Sequence, residues 1–163
     1  MKQHSAKLAW VACLVLPLFG CGQGGSGAKV EAEDTPEQEA FDFRTGLMHS
    51  LSWKVGKLRG MAGGDIPIDN AVAVKHARDV AAIAGMLTDG FIPNSIVKGS
   101  AALPEIWMNF SDFQQKAGEL QTAATALADA AQGNGFEAAK GMVQAVGQAC
   151  GGCHRPYRKR QEE

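Results

Sequence analysis

From residue 36 onward, apolar side chains recur in steps of three and four, and no stretch alternates strictly. That period predicts amphipathic helices and no strands. Thr35-Pro36-Glu37 opens the first helix, with a threonine cap, proline at the first helical position and acids in the first turn. Its stripe is Phe41, Met48, Leu51, Val55 and Leu58; the helix should run to about Met61 and stop at Gly63-Gly64. A second helix is expected from near Asp69 to Asp89-Gly90, with the smaller stripe Ala73, Ala77, Val80, Ala84, Leu87. Residues 90–103, with Phe91, Pro93 and Gly99, read as a long loop.

Pro104-Glu105 should open one unbroken third helix, striped by Ile106, Phe110, Phe113, Ala117, Leu120, Ala124, Leu127 and Ala131. Gly133-Asn134-Gly135 ends it. The fourth carries Phe136, Ala139, Val143, Val146, Cys150, Cys153 and Tyr157 on its core face. Four such helices, joined by two short turns and one longer loop, predict an all-α, antiparallel four-helix bundle over residues 35–163.

The chain ahead of the bundle has a different character. Lys2 and Lys7 precede a nearly continuous apolar run, Leu8 to Leu16, too short to span a bilayer, which takes about 20 residues. This reads as a secretory signal, residues 1–20. It ends at Leu18-Phe19-Gly20-Cys21, similar to the lipobox of bacterial lipoproteins, although Phe19 is bulky for that position. Lipidation of Cys21 would anchor the chain to a membrane; the plainer reading is an ordinary signal cleaved nearby. Residues 21–34 are glycine-rich, then acidic, with little to bury: a tether whose root-mean-square span is roughly 20 Å. The residue after Cys21 is Gly22, not an acid, which leans the expected location to a periplasmic site on the outer rather than the inner membrane. The net charge of −1 gives no reason to expect nucleic acid as a partner.

The densest chemistry is Cys150-Gly151-Gly152-Cys153-His154, on the core face of the last helix. Two cysteines three apart followed at once by histidine form the attachment pattern of c-type haem. The sulfurs add to the two vinyl groups and the histidine nitrogen takes the iron, so one covalent haem c per chain is expected, with His154 as a metal ligand. Positions i, i+3 and i+4 share a helix face, which lets three bonds reach one flat ring. The alternatives are a thiol redox pair or half a zinc site. The first lacks its strand context, and His4, His49 and His76 offer the second no paired spacing. With Cys13 leaving in the signal and Cys21 lipidated, the haem pair accounts for every remaining cysteine, leaving no loose thiol in an oxidising compartment. Alanine-rich stripes on the second and third helices fit a bundle with room for a large ring.

With its attachment motif near the end, Arg44 four residues before Met48, and the Pro104-Glu105-Ile106-Trp107 entry to the third helix, the chain resembles the class II c-type cytochromes. These comprise cytochrome c′ and its low-spin relatives, and the resemblance spans about residues 36–160. Pro156 departs from the pattern and should bend or end the last helix just past the ligand. Arg44 occupies a core position, where an unpaired cation is expensive. A haem propionate would satisfy it, and the resemblance implies that role; the alternative is that its stem snorkels to solvent. Met48 lies on the same face one turn on. Low-spin members ligate iron with a methionine at this place, giving an electron carrier that serves redox partner proteins. High-spin members leave the iron five-coordinate and bind nitric oxide or carbon monoxide. A methionine that only fills core space is the plain reading.

Tyr157 and Arg158 complete the C-terminal motif, and Arg158, four after His154, could shield the ligand. Arg155, Arg158, Lys159 and Arg160 form a basic cluster that suits both a helix C-terminus and an acidic redox partner. His49 should face solvent, and His76 should be a half-buried structural histidine with a weaker claim as distal ligand. Trp53, opposite the core stripe and between Gly46 and Gly60, would mark a helix-pairing surface for a homodimer, which the resemblance also implies; the plain reading is a lone exposed aromatic. None of these expectations makes the protein an enzyme.

Overall fold

The computed structural model describes residues 35–160; the signal, Cys21 and the tether lie outside them. Helix α1 spans Pro36–Gly63, α2 Asn70–Ala84, α3 Glu105–Met108, α4 Phe110–Asn134, α5 Phe136–Ala139 and α6 Val143–Tyr157. A 3-10 turn, Lys140–Met142, joins α5 to α6. The long helices α1, α2, α4 and α6 pack in a ring, each against the next, as an antiparallel four-helix bundle. Among the described residues there is no strand, only an isolated bridge between Ala102 and Arg158.

The caps explain where α1 lies. Thr35 Oγ1 accepts from Gln38 N at 3.3 Å, and Gly64, at φ 86°, turns the chain through the left-handed region that a Cβ would disfavour. Asp69 Oδ1 caps α2 through Val72 N at 3.0 Å. Beyond Ala84 the structure departs from the expected second helix. Residues 85–91 tighten into i→i+3 turns, with Met86 N on Ile83 O, Leu87 N on Ala84 O and Phe91 N on Thr88 O. Leu87 stays buried, which is why the stripe ran past the helix. The tightening delivers Gly90 onto α1, where a Cβ would stand 2.9 Å from Arg44 Cβ and 3.1 Å from Ala40 O.

The third helix is also broken. Asn109 (φ −126°, ψ 44°) leaves helical geometry between α3 and α4. Trp107 Nε1 donates to Phe91 O and Ile92 O at 3.0 and 2.9 Å, holding α3 against the loop while α4 turns Phe113 inward. At the other end, Phe136 N donates to Asn70 Oδ1 at 2.6 Å, tying the start of α5 to the start of α2. Pro156 ends α6 as expected, one residue later, at Tyr157.

The core has two parts. The larger runs the length of the bundle, around Leu58, Val80, Leu127 and Val146. The smaller is aromatic: Phe91, Phe113 and Tyr157 around Ile106. The alanine stripes do not open space for a ring between α2 and α4. Ala73, Ala77, Ala124 and Ala131 are fully buried, and α2 and α4 are the most closely packed pair of helices. Small side chains let backbones approach, so this side of the bundle is shut. The looser side is between α1 and α6, which touch least among neighbouring long helices.

On the outer α1–α2 seam, His76 is buried and meets Trp53 edge-on at 5.3 Å, with its Nδ1 unpartnered. Lys54 and Lys57 flank the Trp53 ring, and Asp79 bonds Lys54 and Lys75 at 2.5 and 2.7 Å. Burial first, then Lys54, pulls the His76 pKa down; Asp79 opposes, and Lys75 and Lys57 add to the fall. The folded protein therefore prefers neutral His76. The stability this preference brings is present above the unfolded value near 6.5 and lost as pH falls below it. His76→Phe, which keeps a ring against Trp53, should flatten the fall in urea midpoint between about pH 7 and pH 5. An unchanged slope would remove His76 as its cause.

Candidate functional site

Helix α6 presents Cys150, Cys153 and His154 together, each half-buried. Cys150 packs on the larger core, against which Leu47 and Met48 of α1 also pack. Cys153 packs on the aromatic cluster of Phe91, Phe113 and Tyr157. The sulfurs thus stand on opposite sides of the division between the two cores, and a flat group bound to both would bridge it.

Both cysteines are free. Burial pushes the Cys150 thiol up against the pull of Arg59, and pushes Cys153 up to about 11 against the pull of Lys116. A thiol redox pair or zinc site wants the reverse, a stabilised thiolate. Among the described residues no three His, Cys, Asp or Glu side chains converge on an ion-sized point. Donors spread along one helix face suit a broad ring gripped at its edge. Burial, then Arg158, pulls the His154 pKa down, favouring the neutral imidazole that a metal takes. These residues fit haem c.

Arg44 is 4% exposed, so its stem does not snorkel. Its Nη1 donates to Gly90 O (2.8 Å) and Ser95 Oγ (3.1 Å); its Nη2 donates to Ser95 O and to Ser100 Oγ (3.3 Å). The Phe41 and Phe91 rings lie 5.3 and 5.1 Å from its Cζ. Four terminal donors meet four loop acceptors, so Nε is the donor left for a propionate. Gly90, Ser95 and Ser100 escaped the sequence reading. The only signal for them was that a core arginine needs acceptors. Met48, one turn beyond Arg44, is half-buried at the edge of the core that Cys150 shares. His49 is exposed, and His76 lies under Trp53. Trp53 remains 58% exposed.

The end of α6 is clamped. Leu103 N donates to Tyr157 O at 3.0 Å, and Lys159 N to Ala101 O at 2.8 Å. Arg158 N caps the helix on His154 O at 3.1 Å, while the side chains of Arg155, Arg158, Lys159 and Arg160 are exposed. Tyr157 is buried, stacks edge-on against Phe113 at 5.5 Å and donates its hydroxyl to Asp112 Oδ2 at 2.5 Å. That bond, then burial, pushes the Tyr157 hydroxyl up to about 12. Tyr157→Phe should cost about 1.5 kcal/mol, the value of a hydrogen bond to a charged acceptor, in urea unfolding of the haem-loaded protein. The same loss should vanish in an Asp112→Ala background, which removes the acceptor, if this pair is its origin.

The chain matches the family model described as Cytochrome C' over residues 39–158. It is 36% identical to a cytochrome c-554 of Cereibacter sphaeroides over 127 residues, 76% of this chain and 95% of that protein. It is similar to the solved cytochrome c prime from Shewanella frigidimarina, with 31% identity and a TM-score of 0.72 over 78% of this chain and 98% of that one. A nitric oxide complex of a cytochrome c prime variant from Alcaligenes xylosoxidans shares 25% identity and a TM-score of 0.68, over 77% and 98%. The family match takes in all four long helices, Arg44, Met48 and the cysteine–histidine motif, and the chain belongs to the cytochrome c′ family of haem proteins, which transfer electrons or bind gases.

Proposed function

We propose that the protein is a periplasmic, membrane-anchored carrier of single electrons. Haem c would be held through Cys150 and Cys153, with His154 and Met48 as the residues that would bind its iron. The observation that supports this most is the position of Met48: half-buried on α1 at the edge of the larger core, on which Cys150 also packs. Bound haem supplies the one-electron couple of its iron. The chain's own part is to fix the two ligands on facing helices and keep the pocket dry, which Leu47, Phe91, Phe113 and Tyr157 favour. Histidine–methionine ligation raises the potential and leaves no position for a gas. Arg44 holds residues 90–100 in place, its Nε would be the donor left for a haem propionate, and Arg158 raises the cost of protonating His154.

Optical spectra test the ligation. The ferric and ferrous proteins should be low-spin, and carbon monoxide should leave the ferrous spectrum unchanged. A high-spin spectrum that shifts with carbon monoxide would establish the second reading, a five-coordinate binder of nitric oxide or carbon monoxide, whose support is the nitric oxide complex of the Alcaligenes xylosoxidans protein. No helix among the described residues is long and apolar enough to cross a membrane, so the anchor proposed is a lipid on Cys21, at the outer membrane. Cys21→Ala should move the protein from the membrane to the soluble fraction, and an unaltered distribution would dismiss the anchor.

A further inference from the structure

A groove of about 630 Å³ runs between the end of α1 and α6. Three cations line it: Arg59, Lys140 and Arg155. Its floor on α6 is glycine. A Cβ on Gly147 would stand 2.8 Å from Arg59 Nη2, and one on Gly151 would stand 3.2 Å from Arg155 Nη1. Two guanidinium groups therefore lie over two glycines one helical turn apart, in space that any other residue would begin to fill. Gly151 is the immediate neighbour of Cys150, and Arg59 is near enough for its charge to oppose the effect of burial on that thiol.

Lys140 is paired with Glu137, and Asp65 lies beside Gly63 at the groove's end. Among the described residues, neither Arg59 nor Arg155 has a carboxylate within 4.0 Å. Gln144 and Gln148 complete a polar lining. In a chain whose net charge is −1, this is a concentrated positive site. Paired planar forks match carboxylates, and a shallow polar surface suits a brief, salt-sensitive encounter better than a permanent one.

We propose that this groove is the docking surface for a carboxylate-rich face of a redox protein, which exchanges an electron with the haem at its Cys150 edge. The proposal rests on the electron-carrier reading above. It differs from the C-terminal basic cluster in its centre, Arg59, which α1 contributes from far away in sequence. The exchange moves one electron and no proton: ferrous haem becomes ferric and the acceptor is reduced by one.

The test uses the haem-loaded protein and two oxidants of opposite charge, hexacyanoferrate(III) and tris(phenanthroline)cobalt(III), by stopped flow at low salt. The double variant Arg59→Gln/Arg155→Gln should be oxidised about fivefold more slowly by hexacyanoferrate(III) and no more slowly by the cobalt cation. An octaglutamate peptide should inhibit the first reaction in the wild type and not in the double variant. Arg78→Gln/Lys98→Gln, an equal charge change outside the groove, should leave the rate within about twofold. A double variant that matches the wild type, retained inhibition by the peptide, or equal slowing with both oxidants overturns the docking surface. Failure of the wild type to react with either oxidant would overturn the carrier reading itself, and the docking surface with it.

Discussion

Replacing Met48 by alanine is expected to turn a haem that ignores carbon monoxide into one that binds it. The reduction potential should fall by on the order of 100 mV, a modest part of the range that axial ligands command. Two effects combine. On the proposed ligation the thioether would be the second ligand to the iron, and a side chain only half-buried at the edge of the core leaves an opening when it is removed. For the same reason the cost in stability should be about 2 kcal/mol, the low end for methionine truncation, because a half-buried site gives up fewer contacts. Absorption spectra, a carbon monoxide titration and a potentiometric titration read the three quantities. Spectra unchanged by the substitution would place the second ligand elsewhere. His76, buried under Trp53 on the outer α1–α2 seam, is badly placed to supply it.

Arg44→Leu should be strongly destabilising while it leaves every proposed haem ligand intact. The substitution roughly keeps the stem's bulk and deletes the fork. Gly90 O and Ser95 O then lose buried partners, and the Ser95 and Ser100 hydroxyls lose theirs. Stranded acceptors cost about 1–3 kcal/mol each when they cannot reach water. Some will reach it as residues 90–100 loosen, so a total of about 3 kcal/mol is expected, near 10 °C in melting temperature for a domain of this size. Faster amide exchange should be confined to the loop and the adjoining Phe91 cluster. A melting temperature within about 2 °C of wild type would show that the clamp holds nothing the rest of the fold does not already hold.

The parts of the fold legible beforehand were those governed by local rules. The Thr35 and Asp69 caps, the Gly64 turn and the stripes of three long helices are interactions within a few residues, and they stand where the pattern put them. The attachment motif was legible for the same reason, since its spacing is itself the geometry. The misreadings came from contacts that close over long separations. Helix α2 stops early because the chain must tighten to bring Gly90 onto α1, and Leu87 keeps the stripe alive outside the helix. Asn109 breaks what looked like one helix because Trp107 answers to carbonyls 15 and 16 residues back. Arg44 was recognised as a core cation in need of an anion. Its partners, 46 to 56 residues away in a loop with no periodicity, left no trace that a pattern could reveal.

The shut alanine seam between α2 and α4 divides the protein by what it will accept from mutation. Where backbones already touch, any added methylene must push a whole helix, at about 1–3 kcal/mol or more, whereas trimming alanine to glycine costs only about 1 kcal/mol. Across the bundle, α1 and α6 meet loosely. A library at Ala77 and Ala128, sorted for haem retention, should therefore keep little beyond glycine, alanine and serine. The same library at Leu47 should keep most apolar residues. One half of this molecule can drift only towards smaller side chains, and the other is free to change what it holds.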